Sequence, residues 1–147
     1  MIRLAKHDDS TIKKLVKTDL ACFTKDNWSK KQWTSYLLSC TTEVYFIFDS
    51  DKKLCGYSAW DVNKISGVVY LASIAILPQY RKHGLAKKLL EYNIEDYTKL
   101  EIKSLYAHTR WTNYPSQKLL KGIGFVVNSI VSNYYGDEDG IEFKKVI

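Results

Sequence analysis

The segment Ile74-Ala75-Ile76-Leu77-Pro78-Gln79-Tyr80-Arg81-Lys82-His83-Gly84-Leu85-Ala86-Lys87-Lys88-Leu89-Leu90 constrains the fold more than any other stretch of the chain. An apolar run with strand character stops at Pro78, which has no N–H to give a ladder. A short basic turn follows and opens directly into a helix whose apolar positions Leu85, Leu89, Leu90, Ile94 and Tyr97 recur at helical spacing. The free N–H groups of a helix's first turn, with the helix dipole behind them, form an anion site. Gly84 lets a ligand approach the backbone without a Cβ in the way, and Ala86 does nearly the same. Arg81, Lys82, Lys87 and Lys88 add positive charge, and no acid lies between residues 79 and 90. The two other common phosphate motifs, G-x-x-x-x-G-K-S/T and G-x-G-x-x-G, are absent. By physics alone, the segment reads as a phosphate or pyrophosphate cradle, with an ordinary basic helix start as the competing reading.

Around this unit the chain divides into short elements. Residues 2–5 read as a strand. Asp8 or Asp9 caps a helix to about Phe23, with Ile12, Leu15, Val16, Leu20 and Cys22 as its apolar stripe. Ser29 caps a second helix that buries Trp33, Tyr36, Leu37 and Leu38. Residues 43–49, 54–62 and 68–77 alternate as strands, followed by the helix from Gly84 to about Tyr97. Residues 104–110 form a strand, 116–121 a short helix with Gly122 as its C-cap, and 125–131 and 141–146 two closing strands. The order β-α-α-β-β-β-α-β-α-β-β, with no linker or repeat, predicts one domain over residues 1–147. Its class is α/β (α+β), with a mixed, mostly antiparallel sheet. Strands and helices do not alternate one-for-one, which excludes a doubly wound fold.

Composition narrows the function. Apolar residues make up 46% and charged residues 26%, which excludes wholesale disorder. No apolar run reaches the ~18 residues of a membrane span, and the N-terminus turns acidic before any apolar stretch, unlike a signal peptide. Cys22, Cys40 and Cys55 lack CxxC or His-paired spacing, so no metal site is expected. They read as reduced thiols of a cytoplasmic protein. None has an acid–base partner in sequence, which argues against an acyl-cysteine route. The net charge of +6 raises the question of nucleic acid. Four of its basic side chains frame the helix start at Gly84, however, and the tyrosines are not gathered into an RNA-binding strand motif, so the reading is against nucleic acid.

Arg81-Lys82-His83-Gly84-Leu85-Ala86 matches the Q/R-x-x-G-x-G/A signature of the GNAT superfamily of N-acetyltransferases. Residues 113–125, from Asn113 to Phe125, resemble that family's N-x-x-A/S-x-x-x-Y/L-x-x-x-G-F element. The element order matches over essentially the whole chain. Trp28-Ser29 and Asn133-Tyr134-Tyr135 further resemble the bacterial ribosomal-protein alanine N-acetyltransferases. The resemblance implies acetyl-CoA as donor. It implies that Arg81, Lys82, His83, Gly84, Leu85, Ala86 and Lys87 hold the pyrophosphate. Ile74, Ala75 and Ile76 would pair with pantetheine and place an N–H where negative charge develops on the thioester oxygen. Asn113 would contact the cofactor's pantetheine or adenosine arm.

The match also departs from the family. Where the alanine N-acetyltransferases carry a Glu base and a Tyr acid, this chain has His108 and Leu120. Leu120 cannot donate a proton. His108 is the candidate base, since imidazole titrates near neutrality. Among Tyr114, Tyr134 and Tyr135, Tyr134 is the candidate replacement acid, although a CoA thiolate also leaves unaided. Trp28 and Tyr135 are candidates for the acceptor groove. A protein α-amine, with a pKa near 7.7–8.0, is appreciably free at neutral pH, whereas a lysine ε-amine near 10.4 is not. A weak acid–base pair therefore favours a peptide N-terminus or a small amine as acceptor, served by a monomer or homodimer. The changes at positions 108 and 120 keep a second reading open, a non-catalytic acyl-CoA-binding or regulatory domain.

Overall fold

A computed structural model describes all residues, 1–147. Its elements are β1 (Ile2–Leu4), α1 (Asp9–Cys22), α2 (Lys30–Leu38), β2 (Thr42–Phe48), β3 (Leu54–Asn63), β4 (Val68–Ile76), α3 (Leu85–Lys99), β5 (Ser104–Arg110), α4 (Tyr114–Gly122), β6 (Val126–Val131) and β7 (Gly140–Val146). A single 3₁₀ turn, Pro78–Tyr80, that the sequence pattern did not suggest joins β4 to the basic loop. The seven strands form one sheet in the order β1-β2-β3-β4-β5-β7-β6. Every pairing is antiparallel except β4 with β5. The expected element order and sheet class both hold.

Capping sets the helix starts. The Asp8 carboxylate accepts from Thr11 N–H at 2.9 Å. Ser29 and Gln32 form a reciprocal capping box at α2. Asn113 caps α4, so that helix begins before the Pro115 boundary expected from sequence, with the proline in its first turn. Gly122 is the last helical residue rather than the cap, and the left-handed turn falls at Gly124, with φ of +97°.

The helices cover the sheet from both sides. One core joins α3 and α4 to the sheet through Trp60, Val69, Leu89, Leu90, Leu105, Leu120 and Phe143. The other seats α1 and α2 on the opposite face through Leu15, Trp33, Val44, Phe46, Tyr57 and Ala75. Two expected core positions differ. Leu20 and Leu38 are exposed, and Asp19 on α1 and Asn93 on α3 are buried in the helix faces instead. Apolar periodicity places Leu20 on the inner stripe, but the helix is rotated so that Asp19 can meet donors from α2 and β3.

Two irregularities in β4 position the site. Ala59 pairs with Ser73 and Trp60 with Leu71, so Ala72 is an extra residue bulged out of the β3–β4 ladder. The parallel pairing of β4 with β5 ends at Leu71 opposite Ala107. From Ala72 onwards the two strands diverge, and the edge of β4 through Ile76 faces no strand.

Candidate active site

The split between β4 and β5 opens into two adjoining clefts that share Phe23, Ile74, Asn113, Ser116 and Leu119. The first, of about 630 Å³, runs from the unpaired edge of β4 to the start of α3. Ile74, Ala75, Ile76, Arg81, Lys82, Gly84, Leu85, Ala86, Lys87 and Asn113 all line it. His83 alone among the expected cofactor residues does not, and it is exposed.

The local backbone explains this cleft's chemistry. Lys82 and Gly84 adopt left-handed φ of +66° and +73°, which coils the loop around its own N–H groups. The N–H groups of Lys82 through Lys87 donate to no protein carbonyl, and no side chain caps α3. A Cβ built on Gly84 meets no atom within 4 Å, so the space above the helix start is open. Unpaired N–H groups, a helix dipole and basic side chains together fit a pyrophosphate. Arg81 is also tied inward: its Nε–H donates to the Ile76 carbonyl at 2.8 Å, and the Cys22 thiol reaches the same oxygen at 3.4 Å. Arg81 thus fastens the loop to the end of β4 as well as adding charge. Asn113 spends its side-chain oxygen on the α4 cap, leaving its amide N–H₂ for a ligand.

The second cleft, of about 410 Å³, lies between the α1–α2 loop, the ends of β4 and β5, and α4. Trp28, Tyr135 and His108 line it, and Tyr134 does not. Tyr134 instead stacks flat on the His108 imidazole, with ring centroids 4.4 Å apart and planes 7° from parallel. Burial and the nearby Glu142 carboxylate push the Tyr134 phenol above its ordinary pKa. Leu120 of α4 also lines this cleft, and as a leucine it puts no phenol at the position where the alanine N-acetyltransferases carry their acid.

Sequence reasoning missed three groups here. Glu142 stands opposite His108 in the β5–β7 ladder, its Oε2 3.1 Å from His108 Nε2. Asn128 of β6 donates to the other oxygen of Glu142 at 2.7 Å. At the cleft mouth, Arg110 holds Asp26 of the α1–α2 loop through two hydrogen bonds of 2.8 and 2.7 Å. The same guanidinium reaches Asp137 at 2.7 Å and Glu138 at 3.1 Å in the β6–β7 loop, and lies over the Tyr135 ring. These hydrogen bonds hold the Asp26 and Asp137 carboxyls below the usual range.

Residues 12–125 match the family model described as the Acetyltransferase (GNAT) family. The chain belongs to the GNAT acetyltransferase family. A Bacillus subtilis relative, provisionally named ribosomal protein bS18-alanine N-acetyltransferase, is 30% identical over 111 residues, 75% of this chain and 72% of its own length. The Escherichia coli ribosomal protein bS18-alanine N-acetyltransferase is 35% identical over 72 residues, so the match spans about half of each chain, 49%. An N-alpha-acetyltransferase of Saccharolobus solfataricus is 35% identical over 108 residues, 64% of this chain and 63% of its own. Among solved structures, the E. coli ribosomal-protein alanine N-acetyltransferase superposes with a TM-score of 0.87 at 22% identity, covering 100% of this chain and 94% of that one. A B. subtilis acetyltransferase solved in complex with CoA gives 0.80 at 19% identity, covering 99% and 97%. These structures share the fold of this GNAT acetyltransferase. As a member of the family it is an N-acetyltransferase with acetyl-CoA as its donor. No helix is long and apolar enough to cross a membrane.

Proposed function

We propose that this GNAT acetyltransferase acetylates the α-amine of a protein or peptide, with His108 as general base. The His108–Glu142 pair at the edge of the second cleft carries this reading. A carboxylate only accepts, so in the neutral imidazole the Nε2 facing Glu142 carries the hydrogen and Nδ1 is the atom with a lone pair. Asn128 holds the carboxylate from behind, and the Tyr134 ring holds the imidazole plane. Tyr134 is thereby a support for the base rather than the acid proposed from sequence, and thiolate departure needs no dedicated donor.

Bound acetyl-CoA supplies the activated acetyl thioester. The free N–H groups from Lys82 to Lys87, with the Arg81, Lys82 and Lys87 charges, would hold its pyrophosphate, and Asn113 would offer its amide along the cleft. The edge of β4 from Ile74 to Ile76, unpaired on the β5 side, would present backbone groups to the pantetheine arm and an N–H to stabilise the charge that develops on the thioester oxygen. Trp28 and Tyr135 flank the incoming amine, and His108 Nδ1 removes its proton. An α-amine suits a site with one modest base, because it is far easier to deprotonate than a lysine side chain. The relatives named for acetylating alanine or α-amines support the same acceptor class. A binding-only domain would have no use for a carboxylate-backed imidazole beside an open second cleft.

The test is thiol release from acetyl-CoA with peptides that begin with Ala, Ser or Met, a peptide with only a lysine amine free, and spermidine. Release with α-amine peptides, and one acetyl group on the α-nitrogen by mass spectrometry, is expected. Release with the lysine peptide or spermidine alone, or with none of the acceptors, overturns the proposal.

A further inference from the structure

Asp19 is a buried carboxyl that the chemistry above does not use. It is 1% exposed, on the inner face of α1, and its carboxyl accepts three hydrogen bonds. Oδ2 accepts the backbone N–H of Trp28 at 2.9 Å and the indole N–H of Trp33 at 3.1 Å. Oδ1 accepts the hydroxyl of Tyr57, itself fully buried on β3. A purely structural buried acid could end there. This one continues, because the Tyr57 oxygen also lies 2.8 Å from Ser73 Oγ, and Ser73 lines the second cleft one residue past the Ala72 bulge.

The direction of the chain follows from counting hydrogens. Burial raises the pKa of the Asp19 carboxyl, and hydrogen bonds from Tyr57, Trp28 and Trp33 oppose that rise. As a carboxylate Asp19 has no hydrogen to give, so it takes the single hydrogen of Tyr57. The Ser73–Tyr57 bond must then be donated by Ser73, whose only hydrogen points back into the protein. No other hydrogen bond forms at Ser73 Oγ, so its two lone pairs are what this side chain can offer to the cleft.

We infer that Ser73 is a hydrogen-bond acceptor for the N–H of the attacking amine, polarised for that task by Tyr57 and Asp19. Ser73 is the residue that touches substrate, and Tyr57 and Asp19 are positioning residues. With His108 taking one hydrogen and Ser73 holding another, the nitrogen lone pair is left to face the unpaired edge of β4. The same Asp19 carboxylate holds Trp28 N–H, so one buried group sets both the acceptor wall and the acceptor's hydrogen-bond partner. This inference rests on the amine-acetylating function proposed above.

The experiment compares wild type, Ser73→Ala, Ser73→Thr and Tyr57→Phe with an Ala-initiated peptide. It measures kcat and KM, and by calorimetry the affinity for CoA and for the peptide on the CoA-loaded protein. Ser73→Ala is expected to lower kcat/KM about 10-fold, the loss of one hydrogen bond to a polarised group, and to weaken peptide binding while CoA affinity is unchanged. Ser73→Thr keeps the hydroxyl and is expected to recover most of the loss. Tyr57→Phe frees the Ser73 hydrogen to turn toward the cleft and is expected to lower kcat/KM by a smaller factor. A wild type that acetylates the peptide while Ser73→Ala keeps its kcat/KM and peptide affinity overturns this inference alone. So does a Ser73→Ala whose CoA affinity falls as much as its activity, or a Ser73→Thr no better than Ser73→Ala. A wild type inactive on every α-amine peptide overturns the proposed function and this inference with it.

Discussion

His108 could be named from the sequence but its competence could not. A histidine on a half-buried strand is as often a satisfied polar residue as a base. What supports the proposed base is the partner opposite it in the β5–β7 ladder and the ring stacked on its face. Both depend on strand register and on the path of the β6–β7 loop, which pattern does not encode. The proposed chemistry predicts that His108→Gln lowers kcat about 100-fold with CoA affinity unchanged. Glu142→Gln keeps the shape but offers the imidazole either a donor or a neutral acceptor, so its tautomer is no longer enforced, and kcat is expected to fall by about 10-fold. Steady-state kinetics of the two variants beside CoA titrations check both values. Equal activity in Glu142→Gln and wild type would remove Glu142 from the positioning of the base.

At the scale of elements, the α1–α2 loop and the β6–β7 loop come from distant parts of the chain and meet at Arg110. Its partners Asp26 and Asp137 are 84 and 27 residues away. Arg110→Met removes the shared cation and leaves Asp26, Asp137 and Glu138 facing one another. The acceptor mouth loosens, and KM for peptide is expected to rise about 10-fold while CoA affinity holds. The same clasp predicts a pH dependence. Hydrogen bonds from Arg110 lower the Asp26 and Asp137 carboxyls, so their stabilisation is fully present above the ordinary carboxylate value of 3.8 and fades as pH falls through the lowered values. The excess melting temperature of wild type over Arg110→Met is therefore expected at pH 7 and to narrow toward pH 3. A constant difference across that range would mean the clasp contributes through packing alone. Sequence pointed to the aromatics of this mouth, Trp28 and Tyr135, through short segments that resemble the alanine N-acetyltransferases. It concealed the clasp, because an arginine ending a strand and acids in loops are ordinary solvated residues until the fold brings them together. The strand–turn–helix unit was legible for the opposite reason: its proline stop, its basic turn, its glycine and its helix are contiguous, so no tertiary information was needed to assemble them.

Across the whole molecule, the ligand cleft is the place where the sheet is divided. β4 leaves β5 after Leu71, and one rim of the first cleft is the end of β4 with the basic loop while the other is the start of α4. In the proposed mode a CoA molecule bound there would touch both rims and span a gap that no protein hydrogen bond crosses. Binding to the folded chain alone stabilises it by mass action, about 2.7 kcal/mol at a concentration 100 times Kd, or roughly 5–10 °C for a domain of this size. Gly84→Val separates the loop's contact with the ligand from its own backbone cost. A Cβ at Gly84 meets no protein atom within 4 Å but must hold a φ of +73°, so the unliganded variant is expected to melt a few degrees lower through strain of about 1–2 kcal/mol. The added side chain also fills the open space above the helix start, so CoA is expected to raise the variant's melting temperature by less than a third of the wild-type shift. Strain lowers the variant's melting point with and without CoA alike and cancels from its shift, so a smaller shift reports ligand contact at the loop. A Gly84→Val chain that keeps the full CoA-induced shift would place the pyrophosphate away from the start of α3.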